Sequence, residues 1–265
     1  MENRRYYALV VEYQGSRYCG WQRQNHSLGV QEVLERALSF IADENIVVVC
    51  AGRTDAGVHA TAQVVSFMTT KWRDAKAWTL GVNSRLPKDV KVVAFHEVDA
   101  GFSARFSAIY RRYNYVLYES SYSSALFDPL TSWVRKPLNI ELMNEACQYL
   151  LGEQDFSSFR AAECQSNSPY RRIDSARFHR YGRFVIFDIK GNAFLHHMVR
   201  NIVGSMLEIG LNHRSPDWVK TLLLLKDRRL AAKTAPANGL YLVEVGYPQV
   251  VMPEIRRDLM DFLGG

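Results

Sequence analysis

Hydrophobic and polar positions alternate from Arg5 to Tyr13, the period of a half-buried strand. The period then changes, and Val30, Val33, Leu34, Ala37, Leu38 and Ile41 share one face of a helix. Strands are predicted over Ile46–Cys50 and Ala62–Met68, a helix over Asp74–Ser84 and a strand over Val90–Val98, so the first part reads βαββαβ. "AIYRRYNYVLY", Ala108–Tyr118, is a further long strand. The following "ESSYSSALFDPLTSWVRKPLN" carries turn chemistry without periodicity, which places a join there and divides the chain into 1–118 and 119–265. Beyond it the pattern predicts a helix over Ile140–Leu151, strands over Ile173–Arg180 and Phe184–Lys190, and a helix from Phe194 to about Ile209. A helix over Trp218–Leu225 and a closing strand over Leu240–Gly246 complete the reading. The expected class is α+β: two ferredoxin-like, split βαβ subdomains forming a largely antiparallel mixed sheet with helices on one face.

With 48% hydrophobic and 23% charged residues in 265, the chain suits an ordinary globular fold. The start "MENRRYYALVVEY" has no apolar stretch long enough for a secretory signal. Later apolar windows are broken by Arg200, Glu208 or Lys220 before the roughly 18 residues a membrane span needs, so a cytoplasmic protein is expected. Cys19, Cys50, Cys147 and Cys164 stand far apart with no C-x-x-C pair, which reads as reduced, mostly buried thiols rather than a metal site. A net charge of +6 admits an anionic partner. Arginines recur beside aromatics in "RFSAIYRRYNY", "PYRRIDSARFHRYGRF" and "HHMVRN", a pattern that fits either RNA contact or solvated strand faces.

The chemistry concentrates in "CAGRTDAGVHA", Cys50–Ala60. Gly52 and Gly57 remove side-chain bulk where the backbone bends, and leave Asp55 on a loop between strands, with Arg53 two residues away to favour its ionised form. The loop reads as an ordinary turn, with Asp55 bonded to its own backbone, or as the seat of a nucleophile or general base; local chemistry leaves both open. His59 at a strand start reads as structural. His196 and His197, adjacent on a predicted helix, would point about 100° apart and could not chelate one ion. Phosphate-cradling glycine motifs, a serine elbow and a zinc-deaminase signature are all missing.

In order along nearly the whole chain, "YCGWQRQ", "GRTDAGVHA", "FSARFSAIYRRYNYVLY", "FLHHMVRNIVG" and "APANGLYL" resemble the bacterial tRNA pseudouridine synthase A family. The resemblance implies an isomerase that converts uridine to pseudouridine at positions 38, 39 and 40 of the tRNA anticodon stem-loop. It further implies a homodimer that uses neither cofactor nor metal, with the active-site cleft on the sheet face opposite the helices. It makes Asp55 the catalytic nucleophile, whether the carboxylate attacks C1′, adds to the base or promotes a glycal. Arg200 becomes its ionic partner, and Tyr113 stacks on the target uracil with a hydroxyl placed for proton transfer. Arg53 would displace the base and Leu240 would wall it from below. The tRNA-touching positions carried over are Arg73, the stretch Phe102, Ser103, Ala104, Arg105 and Phe106, and the stretch Glu163, Cys164, Gln165, Ser166 and Asn167. "EYQGSRY" departs from the family in having Gln14 where an acid is usual and Tyr18 where phenylalanine is usual.

Two other classes compete. A non-catalytic tRNA- or RNA-binding protein accounts for the charge and the Arg/aromatic strands, but an ionised Asp55 facing phosphates would weaken it. A metal-dependent hydrolase on Asp55, His59 and His196 is disfavoured by their spacing.

Overall fold

The structure, a computed structural model, describes residues 4–248. It is a mixed α+β protein whose described residues form two compact units, one holding 4–109 together with 242–248, the other running from Tyr110 to Tyr241.

The first unit is built from β1 (Arg5–Tyr13), α1 (Val30–Ala42), β2 (Val49–Cys50), β3 (His59–Thr69) and β4 (Val90–Glu97). Strand β1 lies between β4 and β3, antiparallel to both, and β2 adds to β3. A central strand is covered on both faces, and Tyr7 to Val11 are accordingly all buried. Helix α1 buries Val30, Leu34, Ala37 and Leu38, as its periodicity requires. Only Val49 and Cys50 of the expected Ile46–Cys50 strand pair with a neighbour. The backbone donors before them go to helix side chains instead: the N–H of Ile46 to Ser39 Oγ at 2.9 Å and that of Val48 to Glu35 Oε1 at 3.0 Å. The alternation is still visible, with Ile46 and Val48 buried and Val47 and Val49 exposed. The expected helix after Asp74 contains a π-helical stretch over Ala77–Gly81.

The second unit holds β5 (Tyr110–Glu119), β6 (Ser132–Val134), α2 (Ile140–Cys147), β7 (Gly152–Asp155), β8 (Tyr170–Tyr181), β9 (Phe184–Gly191), α3 (Met198–Gly210) and α4 (Trp218–Leu225). Its strand order is β5-β9-β8-β7, all antiparallel, with β6 parallel on β5. Ile202, Val203, Met206 and Ile209 of α3 are buried, as are Met143 and Ala146 of α2. Helix α3 starts four residues later than its apolar pattern suggests. His197 takes a left-handed conformation (φ 59°), the His196 carbonyl accepts from the Ala161 N–H at 3.1 Å and the Leu195 carbonyl from the Met198 N–H at 3.0 Å, so Leu195 to Met198 form a turn. Strand β10 (Leu240–Gly246) begins at the end of this unit and continues in the first. Of the cysteines only Cys147 is fully buried; Cys19 is exposed and the other two lie between, which corrects the expectation of mostly buried thiols. No helix among the described residues is long and apolar enough to cross a membrane.

Candidate active site

The loop between β2 and β3 closes in a regular turn and is anchored from both sides. The Asp55 carbonyl accepts from the Val58 N–H at 3.1 Å, and Gly57 at the third position of this four-residue turn has φ 80°, the value a type II turn demands there. Inside the loop the side chains divide. Thr54 is buried, Asp55 is half-buried and Arg53 is exposed.

The N-terminal motif clamps this loop from above. Trp21 N–H donates to the Thr54 carbonyl at 3.0 Å and Gly57 N–H to the Tyr18 carbonyl at 3.4 Å. Such proximity needs glycines: a Cβ on Gly15 would lie 1.9 Å from the Val58 oxygen, and one on Gly20, at φ 87°, would lie 2.7 Å from the Thr54 oxygen. From below, Tyr13 Oη and Thr54 Oγ1 are 2.8 Å apart, and Gln63, fully buried, donates Nε2 to the Gly52 carbonyl at 2.6 Å. His59 is buried and its Nδ1 accepts from the Gly15 N–H at 2.9 Å, a structural role that ties β3 to the clamp. Tyr13 and Gln63 escaped sequence reasoning because each sits inside an alternating strand pattern, where a polar residue on the buried face carries no local signal.

The two departures from the family motif are absorbed locally. The Tyr18 hydroxyl donates to Asp89 Oδ1 at 2.7 Å, and burial together with that carboxylate pushes the phenol's pKa up. Gln14 is exposed and uses its backbone N–H on the Asp89 carbonyl at 3.0 Å, so the identity of its side chain is immaterial to this contact.

In the second unit Tyr113 is buried on β5 with its ring edge-on to Phe194, centroids 5.0 Å apart. Tyr115, two residues on, is a core residue whose hydroxyl donates to the Pro236 carbonyl at 2.8 Å. Arg200 stands in the first turn of α3, half-buried, with Nε donating to the Ala235 carbonyl at 2.9 Å. Leu240 is buried at the start of β10. His196 and His197 lie in the turn before α3, not on a helix, with ring centroids 4.1 Å apart. The helical-spacing reason for keeping their rings apart therefore does not hold.

The arginines beside aromatics separate into two sorts. Arg112 makes a two-point pair with Asp188 at 2.8 and 2.6 Å, Arg180 pairs with Glu119 at 3.0 and 3.1 Å, and Arg172 with Asp174 at 2.8 Å; these are ordinary sheet-surface ion pairs. Arg105 is exposed over the ring of Phe106, itself 80% exposed, while Phe102 and Ala104 between them are buried anchors: Phe102 packs on Tyr247 and the Ala104 carbonyl accepts from the Tyr247 hydroxyl at 2.7 Å. Ser103 is half-buried and lends its Oγ to the Phe106 N–H at 3.4 Å. Arg73 directs Nε to the Ile41 carbonyl at 3.0 Å.

The stretch 163–167 repeats that alternation, with Glu163, Gln165 and Asn167 exposed and Cys164 and Ser166 half-buried. Arg160 holds it by donating Nη2 to the Cys164 and Ser166 carbonyls, both at 2.7 Å, and Arg171 by donating Nη2 to Ser166 Oγ at 2.7 Å. Partial burial pushes the Cys164 thiol up, but hydrogen bonds from the backbone N–H groups of Ser166 and His196 and the nearby Arg160 charge outweigh it and bring the thiol below its ordinary value. Burial moves Cys50 the other way, to about 11.

The sequence profile of the tRNA pseudouridine synthase family matches residues 9–107 and 146–248. Relatives include a protein named tRNA pseudouridine synthase A from Francisella tularensis subsp. holarctica, 56% identical over 92% of this chain and 94% of its own. Its namesake from Francisella philomiragia is 54% identical over the same shares. Among solved structures, a chain of a Cbf5-Nop10-Gar1 complex overlays with a TM-score of 0.35 at 11% identity, covering 89% of this chain and 57% of that one.

Proposed function

The chain belongs to the tRNA pseudouridine synthase family, a family of isomerases, and from that premise we propose that it converts uridine to pseudouridine at positions 38, 39 and 40 of the anticodon stem-loop. The reaction breaks the N1–C1′ bond, turns the detached uracil and rejoins it through C5, so nothing is gained or lost overall. Asp55 is the carboxylate that assists cleavage, acting at C1′, on the base or by way of a glycal. Arg200 is its ionic partner, Tyr113 faces the uracil and is placed to move a proton, and Leu240 walls the base. Arg53 fills the stack that the base vacates. Arg73, Phe102 to Phe106 and Glu163 to Asn167 hold the anticodon arm, and the enzyme works as a cytoplasmic homodimer.

One observation carries the reading. The Asp55 turn is fixed from two sides by buried and backbone hydrogen bonds, with Thr54 turned inward and Arg53 left exposed, as a loop that must hold a carboxylate still and extend a cation toward RNA requires. A fixed loop would serve a binding module too, but an ionised carboxylate held among phosphate contacts weakens RNA affinity and is of use to chemistry.

The test is to incubate the protein with unmodified tRNA transcripts carrying a single uridine at 38, 39, 40, 32 or 55 and to map pseudouridine chemically. Conversion at 38, 39 and 40 alone is expected. Conversion at 32 or 55 overturns the positional assignment, and conversion nowhere overturns the activity.

A further inference from the structure

Segment 231–235 is laced along one edge of α3. The Ala235 N–H donates to the Arg200 carbonyl at 3.1 Å, and the Ala232 N–H to Ser205 Oγ at 3.4 Å. A Cβ on Gly204 would lie 2.0 Å from the Lys233 oxygen, so the two backbones touch there. This segment supplies the Ala235 carbonyl that accepts from Arg200 Nε.

What shapes the segment is Arg228. Its Nη1 donates to the Ala232 carbonyl at 2.8 Å, and its Nη2 to Asn201 Oδ1 at 3.0 Å and Thr234 Oγ1 at 3.1 Å. Asn201 is fully buried, receives the Thr234 hydroxyl on the same Oδ1 at 2.7 Å and donates Nδ2 to the Phe159 carbonyl at 2.8 Å. Arg228 itself is half-buried and pairs with no carboxylate among the described residues; the neighbouring Asp227 is taken by Arg229. A guanidinium removed from water without a counter-charge is unfavourable, and a lysine could not reach these oxygens in one plane. The arrangement exchanges that penalty for a fixed carbonyl beneath Arg200.

We propose that Arg228 is a positioning residue for Arg200, acting through Asn201 and Thr234 on the segment whose Ala235 carbonyl aims the Arg200 guanidinium. The proposal rests on the reading that Arg200 serves the reaction. It assigns to Arg228 no contact with RNA and predicts a defect in turnover rather than in binding.

The experiment measures single-turnover tritium release from C5-labelled tRNA at saturating enzyme, and tRNA affinity by filter binding, for Arg228→Ala, Arg228→Lys, Thr234→Val and Arg200→Ala. Arg228→Ala should release label about tenfold to a hundredfold more slowly, Arg228→Lys should not restore the rate, and affinities should stay within about threefold. Thr234→Val keeps the volume and removes the two hydrogen bonds of the Thr234 hydroxyl, to Asn201 and from Arg228, so it carries the test at about a several-fold loss even where Arg228→Ala does not fold. Arg228 lines a cleft together with Ala161, Ala162 and Lys233. Methylguanidinium added to Arg228→Ala should therefore recover part of the rate. The double variant Arg200→Ala/Arg228→Ala should be within about twofold of Arg200→Ala alone, because residues acting as a unit are not additive. Rates within about twofold of the unaltered protein for Arg228→Ala or, where that does not fold, Thr234→Val, or losses that multiply in the double variant, overturn the positioning role. An unimpaired Arg200→Ala instead overturns the reading of Arg200, and Arg228's role with it.

Discussion

Thr54 Oγ1 lies 2.8 Å from Tyr13 Oη, and both side chains are buried. That contact joins the first strand to the residue immediately before Asp55. Tyr13→Phe leaves the Thr54 hydroxyl short of a buried partner and should cost about 1–3 kcal/mol in urea unfolding. Turnover on saturating tRNA should fall with tRNA affinity nearly unchanged; an unaltered rate would show that Asp55 does not depend on this anchor.

Gly15→Ala puts a methyl group 1.9 Å from the Val58 carbonyl oxygen, a distance only backbone movement can relieve. The expected loss is about 1–3 kcal/mol of stability, with slower turnover as the clamp lifts from the Asp55 turn. Chemical denaturation and tritium release, measured on one preparation, check both.

Arg53→Ala should lower the saturated rate more than tRNA affinity, since displacing the base belongs to the reaction and not to docking. Weakened binding with a normal saturated rate would contradict the role.

Arg105→Ala, by contrast, should reduce affinity evenly across tRNAs and flatten the dependence of log affinity on log salt by about one unit. Ala104 lies next to it but is a buried anchor, so Ala104→Asp should damage folding before it alters the salt slope.

Cys164 should react with iodoacetamide at a lower pH than an ordinary thiol, because two backbone N–H groups and the Arg160 charge favour its thiolate. Arg160→Ala should move the alkylation profile back up. Bound tRNA should slow the reaction if residues 163–167 touch RNA; equal labelling with and without tRNA would remove that stretch from the contact surface.

Glu44 gives a pH test of the first unit. Desolvation raises its pKa, but hydrogen bonds from Thr69 and from the Thr70 hydroxyl and N–H outweigh it and hold the carboxyl below its ordinary value. A depressed folded pKa adds stability above the unfolded carboxylate range and loses it as pH falls through the folded value. The stability difference between the unaltered protein and Glu44→Gln should therefore shrink on acidification through that window; a constant difference would deny the interaction.

Much of the fold was legible because periodicity survives where a segment faces one core. Strands β5 and β9 and helices α1 and α4 lie within a residue or two of their expected bounds. Two of the failures share a cause, side chains or backbone elsewhere taking hydrogen bonds that a local pattern assigns to regular structure. Ser39 and Glu35 take the donors of Ile46 and Val48, and Ala161 takes the His196 carbonyl and delays α3. In the candidate site, Asp55 stood out because its motif is contiguous. Tyr13, Gln63 and Arg228 did not, since their partners Thr54, Gly52 and Asn201 lie 41, 11 and 27 positions away.

The role proposed for Asp55 is to perform the chemistry while the rest of the loop presents it. Its most direct test is tritium release from tRNA labelled at uridine C5 by the unaltered protein and by Asp55→Asn, with tRNA binding measured alongside. Release by the unaltered protein and none by Asp55→Asn, at affinities within about threefold, is the predicted result. Equal release by both would remove Asp55 from the reaction.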